Sequence, residues 1–167
     1  MSESASLDSF LANVDSPMFV VTTVCPQSGA RAGCLVGFTT QCSIDPGLFV
    51  VCLSHNNHTY RVALRANVLV VHGLDENQRP LAELFGSTTG DEVDKFAACS
   101  WRPGPHDAPV LADCPRWFAG QILDRKAWGD HSAFLLKPIE VGDGDGSRAA
   151  SPMMLSHLKD MTPGHEA

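Results

Sequence analysis

The sequence predicts a mostly β domain of the α+β class: an antiparallel, barrel-like sheet with short helices inserted into it. Three observations carry that expectation. Six or more strand-length runs rich in β-branched and apolar residues are bounded by Gly, Pro, Asp and Asn turn signals. The helical stretches between them are short and do not alternate regularly with strands, which argues against a parallel βαβ sheet. The 167 residues, 44% hydrophobic and 19% charged, suffice for one buried core and are too apolar for a disordered chain.

Each element follows from its local pattern. Leu7, Phe10, Leu11 and Val14 recur at helical spacing, so residues 1–13 are expected to carry a short amphipathic lead-in helix. Met18 to Val24 is rich in β-branched residues and reads as a strand, and Pro26-Gln27-Ser28-Gly29 as a turn. A second strand region spans about Arg31 to Ile44, broken by Gly33 and Gly37. Asp45-Pro46-Gly47 is a strong turn before Leu48 to Leu53, a strand expected to be buried on both faces. Ser54 to Asn57 supplies N-cap residues for a helix over Thr59 to Ala66. Val68 to Leu74 reads as a strand, and Pro80 to Phe85 as a short helix ended by Gly86. Asp91 to Ala98 repeats helical spacing through Val93, Phe96 and Ala97, and Trp101 to Pro105 reads as an irregular loop. Trp117 to Lys126 and His131 to Val141 form two more strands joined at Trp128-Gly129-Asp130. One domain is expected over 14–141, then a flexible Gly/Asp break and a polar tail over 142–167.

Composition narrows the function. With 12 basic against 19 acidic residues the net charge is −7, which argues against nucleic acid as a partner. No apolar run is long enough to span a bilayer, and the first residues lack the pattern of an export signal, so the expected location is the cytoplasm and not a membrane. In that reducing compartment the cysteines at 25, 34, 42, 52, 99 and 114 read as small core hydrophobes. No C-x-x-C pair occurs; His55 and His58 stand three apart without a third and fourth ligand, so no metal site is expected. The Gly142 to Ser147 run lacks the terminal Glu of a calcium loop. No dinucleotide fingerprint, phosphate loop, nucleophile elbow or zinc-protease motif is present.

The order of segments carries more information than any single motif. The matching pieces are Pro17 to Thr23, Gly33 to Pro46, Asn56-Asn57-His58-Thr59, Leu81 to Phe85, Trp101 to Gly104, Pro109-Val110-Leu111 and Gly129-Asp130-His131. In this order, from about residue 14 to 141, the chain resembles the flavin reductase-like family with the FMN-binding split barrel. The resemblance implies an antiparallel split β-barrel with inserted short helices, assembled as a homodimer. It implies a reductase that oxidises NADH or NADPH and passes a hydride to FMN, or to FAD, in some members supplying a partner monooxygenase component. The alternative is a non-enzymatic FMN-binding electron-transfer protein. The segment Asn56 to Thr59 beside Gln41-Cys42-Ser43 resembles the FMN-retaining branch.

The resemblance also implies roles for particular residues. Gly33, Cys34, Leu35, Val36 and Gly37 would bring backbone close to the flavin ring. Gln41, Cys42 and Ser43 would bond the ring or the ribityl chain. Asn57 and Thr59, at the start of a helix, would receive the phosphate, with Arg61 or Arg65 adding charge. Phe85 would cover the flavin, and His131 would be the catalytic residue facing the nicotinamide. Three positions depart from the family's usual pattern: Cys34-Leu35-Val36 in place of small hydroxyl residues, Gly47 after Asp45-Pro46, and His72-Gly73. The first makes recognition depend more on backbone than on side chains.

Overall fold

A computed structural model describes residues 5–143 and 151–165. Strand β1 (Phe19–Val24) turns through Gly29, whose positive φ of 72° closes the hairpin, into β2 (Arg31–Val36). The chain continues through β3 (Thr39–Ile44) and β4 (Gly47–Ser54), a hairpin whose turn holds a cis Asp45–Pro46 bond. After a first helical turn at the N-terminus (α1, Asp8–Leu11), the remaining elements are α2 (His58–Ala63), β5 (Val68–Gly73), α3 (Arg79–Gly86), β6 (Trp101–Pro103), β7 (Pro109–Leu111), β8 (Arg116–Trp128) and β9 (His131–Asp143). Seven strands form one antiparallel sheet in the order β2-β1-β5-β8-β9-β4-β3, and β6 pairs with β7 apart from it.

Side-chain alternation sorts the two faces of that sheet. Val21 of β1, Cys34 and Val36 of β2, Val51 and Leu53 of β4, Leu69 and Val71 of β5, and Phe134 and Leu136 of β9 share one buried cluster. Strands β2 and β4 stand near opposite ends of the order, so the sheet must curl until they meet: it is a barrel. The chain bridges the ends itself, passing from β2 to β3 through Gly37-Phe38, where the Phe38 carbonyl accepts the Cys52 N–H at 2.9 Å. The alternate residue Val20 faces outward, where Leu81, Ala82 and Phe85 of α3 cover it together with Phe96, Leu111 and Met153. Two apolar layers back to back are what a sheet with one helix-covered face requires.

One polar side chain is locked between those layers. His72 is fully buried; Nδ1 lies 3.0 Å from the Val20 carbonyl and Nε2 accepts the Leu111 N–H at 3.0 Å. A carbonyl only accepts and an N–H only donates, so the ring is the neutral tautomer protonated on Nδ1. Burial pushes its pKa down from 6.5 to about 4.

Several sequence expectations give way here. The region from Arg31 to Ile44 breaks only at Gly37-Phe38; Gly33 lies inside β2, where a Cβ would come 2.7 Å from the Phe85 ring. Only the last part of β4 is fully buried, because Phe49 stands with Phe19 and Phe118 at an open barrel end lining a cavity of about 410 Å³. The helix expected over Asp91 to Ala98 shrinks to one 3₁₀ turn, Lys95–Ala97, capped by Asp94, with Val93 left exposed. Trp101 to Pro103 is a strand and not a loop; Pro103 faces Pro109 at the margin of a two-stranded ribbon, where a missing N–H costs little. Leu7, Phe10, Leu11 and Val14 are exposed around α1, which is a single turn. Residues 144–150 of the expected tail lie outside the described residues. From Ser151 on, the chain is pinned through Met153, whose carbonyl accepts the Met18 N–H and whose N–H donates to the Leu74 carbonyl, each at 2.8 Å, and Met153 and Leu158 are buried.

Candidate active site

The barrel is split where β2 ends the sheet, and the site is built on that free edge. The Gly33 carbonyl accepts the Lys95 ammonium at 3.0 Å and so faces away from β1. By the two-residue alternation of an antiparallel pair, Leu35 turns its N–H and carbonyl the same way, while Cys34 and Val36 pair with Val21 and Phe19. Apart from the Gly33 carbonyl, which Lys95 occupies, this edge has no neighbouring strand and lies beside a cleft of about 250 Å³. The cleft is lined by Cys34, Leu35, Val36 and Gly37 on one side and by Cys52, Leu53, Ser54 and Asn57 on the other. Met18 supplies an apolar floor, its sulfur 3.1 Å from where a Gly37 Cβ would stand. A side chain at Gly37 would thus displace that floor.

His131 closes one end of the cleft. It opens β9 directly after the Gly129 turn, where φ is 64°. Its Nδ1 lies 2.6 Å from an Asp130 carboxylate oxygen, and its ring packs against Phe38 at 5.1 Å between centroids. The His131 hydrogen bond holds the Asp130 carboxyl below the usual range. That bond occupies Nδ1 and leaves Nε2 as the ring's second polar atom. Nearby, the His55 N–H donates to the Asp130 carbonyl at 2.9 Å, and its Nε2 lies 3.0 Å from the Ser132 hydroxyl.

On the opposite wall Asn57 caps α2, its Oδ1 accepting the Thr59 N–H at 2.9 Å. Burial pushes the Cys34 thiol up, against hydrogen bonds from the side chains of Thr59 and Asn57. Cys34 is accordingly a neutral, buried thiol that ties β2 to the start of α2.

The site residues expected from sequence thus separate into two groups. Cys34, Leu35, Val36, Gly37, Asn57 and His131 converge on the one cleft. Gly33 and Phe85 meet each other in the layer behind β2, and Phe85 is fully buried there against Phe96 at 5.8 Å. Thr59 is buried with its hydroxyl on the thiol of Cys34. Gln41, Cys42 and Ser43 lie along the outer edge strand β3 around a bulge, with the Gln41 amide bonded to the Ser43 carbonyl at 3.0 Å. Arg61 is held by both oxygens of Asp91, at 2.5 and 2.6 Å, and Arg65 is exposed. Leu155 and His165, from the C-terminal segment, line the cleft without having been anticipated. No local signal marks them, because only tertiary docking brings that segment to the split.

Comparisons with known proteins agree with this architecture. Residues 11–161 match the family described as flavin reductase like domain. The chain is 30% identical over 131 residues to "FMN reductase (NADH) RutF" of Bradyrhizobium diazoefficiens, covering 78% of this chain and 71% of that protein. It is 34% identical over 104 residues to a Rhizobium meliloti protein named "Probable flavin reductase", covering 60% of this chain and 32% of that longer protein. The chain therefore spans about a third of that relative. Among solved structures, an FMN-binding protein from Thermus thermophilus superposes with a TM-score of 0.78 at 23% identity, over 89% of this chain and 84% of that one. With the family matched from one end of the barrel to the docked C-terminal segment, the chain belongs to the flavin reductase like domain family.

Proposed function

We propose that this chain is a flavin reductase that oxidises NADH and passes the hydride to FMN, acting as a cytoplasmic homodimer. The observation that carries the reading is the convergence of the β2 free edge, Asn57 and His131 on one cleft at the split of the barrel. The names of its relatives support the choice of FMN and NADH.

The residues present suit a flat heteroaromatic ring. At about 250 Å³ the cleft is smaller than the roughly 300–1,000 Å³ that envelops a whole drug-sized ligand, so it takes a ring and leaves the rest of the nucleotide outside. A second copy of the chain would complete the enclosure. Met18, Leu53 and Val36 offer apolar contact, and the Leu35 N–H at the strand edge offers a donor for the ring's polar rim. Bound flavin would supply the redox chemistry itself, taking up the hydride, and the protein supplies orientation and electrostatics. His131, with Nδ1 fixed by Asp130, would hold its Nε2 toward the nicotinamide and orient that ring over the flavin. The narrow split would exclude water from the two stacked rings. The reduced flavin would then serve a monooxygenase component that uses it.

Steady-state NADH oxidation with FMN as acceptor, run beside NADPH and FAD, tests the assignment. Turnover with NADH and FMN above the uncatalysed rate supports it, and no acceleration with any pairing overturns it.

A further inference from the structure

The least expected group in the chain is Lys95. The residue is 4% exposed, at the start of a 3₁₀ turn where the sequence suggested a helix. A buried ammonium is costly unless its protons are satisfied, and ordinarily a carboxylate accompanies it. Here Nζ instead donates to two backbone carbonyls, Gly33 and Phe85, each at 3.0 Å, and lies 5.6 Å from the centre of the Phe85 ring. Asp94, the adjacent acid, is committed to capping the Phe96 N–H at 3.0 Å. The cation is thus left uncompensated by any ion pair among the described residues.

Its position gives that charge a use. Gly33, which it grips, is bonded directly to Cys34, the first residue of β2 to line the cleft. Lys95, which itself lines a neighbouring cavity of about 390 Å³, therefore does two things: it anchors the β2 backbone at Gly33, and it places a positive charge one residue along the strand from the cleft lining. We propose that Lys95 is a positioning residue whose buried charge makes flavin bound at the β2 edge easier to reduce. This rests on the flavin-reductase reading above. Hydride transfer brings two electrons and one proton from NADH to the flavin, leaving NAD⁺ and a reduced flavin carrying one more negative charge than the oxidised form. A fixed cation near the cleft binds that product more tightly than the reactant, and in a poorly screened interior a unit charge some ångströms away is worth about tenfold in affinity.

The test separates charge from architecture. Dissociation constants for oxidised FMN and for dithionite-reduced FMN are measured anaerobically on the full chain and on Lys95→Gln and Lys95→Met. Gln keeps N–H donors without charge; Met keeps the length of the stem without either. The expected result is that both variants lose about tenfold in the preference for reduced over oxidised FMN, equal to about a 30 mV fall in midpoint potential for a two-electron couple. Lys95→Gln should hold oxidised FMN within about twofold of the parent. A preference unchanged in Lys95→Gln, or equal weakening of both redox forms, overturns the proposal and leaves Lys95 a structural residue. Should neither variant fold, the parent protein decides: bound FMN must have a higher midpoint potential than free FMN, and a lower one overturns the proposal. If the parent binds no FMN in either form, the flavin-reductase reading itself falls.

Discussion

His72 makes a quantitative demand on the acid stability of this protein. Its imidazole is sealed between the barrel and the α3 layer and satisfied in the neutral form by Val20 and Leu111. Protonation would set an N–H against the Leu111 N–H, which has no acceptor to offer. The ring's pKa therefore falls from 6.5 to about 4 on folding, mainly through burial. Because the folded-state value is the lower one, the unfolded chain takes up the extra proton between those limits. Stability is thus fully present above pH 6.5 and is lost as pH falls toward 4. A shift of about 2.5 units at 1.36 kcal/mol each corresponds to about 3 kcal/mol over the whole window. Between pH 7 and pH 5 the linkage relation gives about 2 kcal/mol of that. Urea denaturation at a series of pH values, on the parent and on His72→Gln, isolates the contribution. The variant should be less stable at pH 7 but fall by about 2 kcal/mol less on going to pH 5. Parallel pH profiles for the two proteins would refute the reasoning.

Two substitutions probe the cleft. His131→Ala should raise the apparent KM for NADH about tenfold while FMN affinity stays nearly constant, since the imidazole closes one end of the cleft and the proposed flavin ring would rest on β2; unchanged steady-state kinetics would remove His131 from the reaction. Thr59→Ala loses a hydroxyl that faces the Cys34 thiol and not the open cleft. It should therefore lower thermal stability by about 1 kcal/mol and weaken FMN and riboflavin equally in fluorescence titrations. A loss confined to FMN would put Thr59 on the phosphate after all.

What the sequence disclosed was local. Hairpins such as β1–β2 and β8–β9 are written in alternation and in turn residues, Gly29 and Gly129 among them, so they were legible with few errors. The failures share a cause in tertiary context. Val93, Phe96 and Ala97 mimic a helix face, but the segment is instead drawn in by Lys95, whose acceptor on Gly33 lies 62 residues away. The Pro-rich stretch after Trp101 conceals a strand because its partner, Pro109 to Leu111, tolerates proline at the ribbon's margin. The C-terminal segment looked polar because among its described residues Met153 and Leu158 are buried and Met161 partly so, and its contribution of Leu155 and His165 to the cleft follows from docking alone. Of the expected site residues, Cys34 to Gly37, Asn57 and His131 meet in space, whereas Gly33 and Phe85, expected at the flavin, pack on each other outside the cleft lining.

The most direct test of the account is an anaerobic titration. The purified chain is saturated with FMN and mixed with NADH while the flavin's visible absorption band is followed. The account predicts rapid bleaching that is saturable in NADH and slower with NADPH. Flavin that binds at the cleft but stays oxidised with both nucleotides would contradict it, and would leave a split barrel that holds FMN for electrons arriving from another protein.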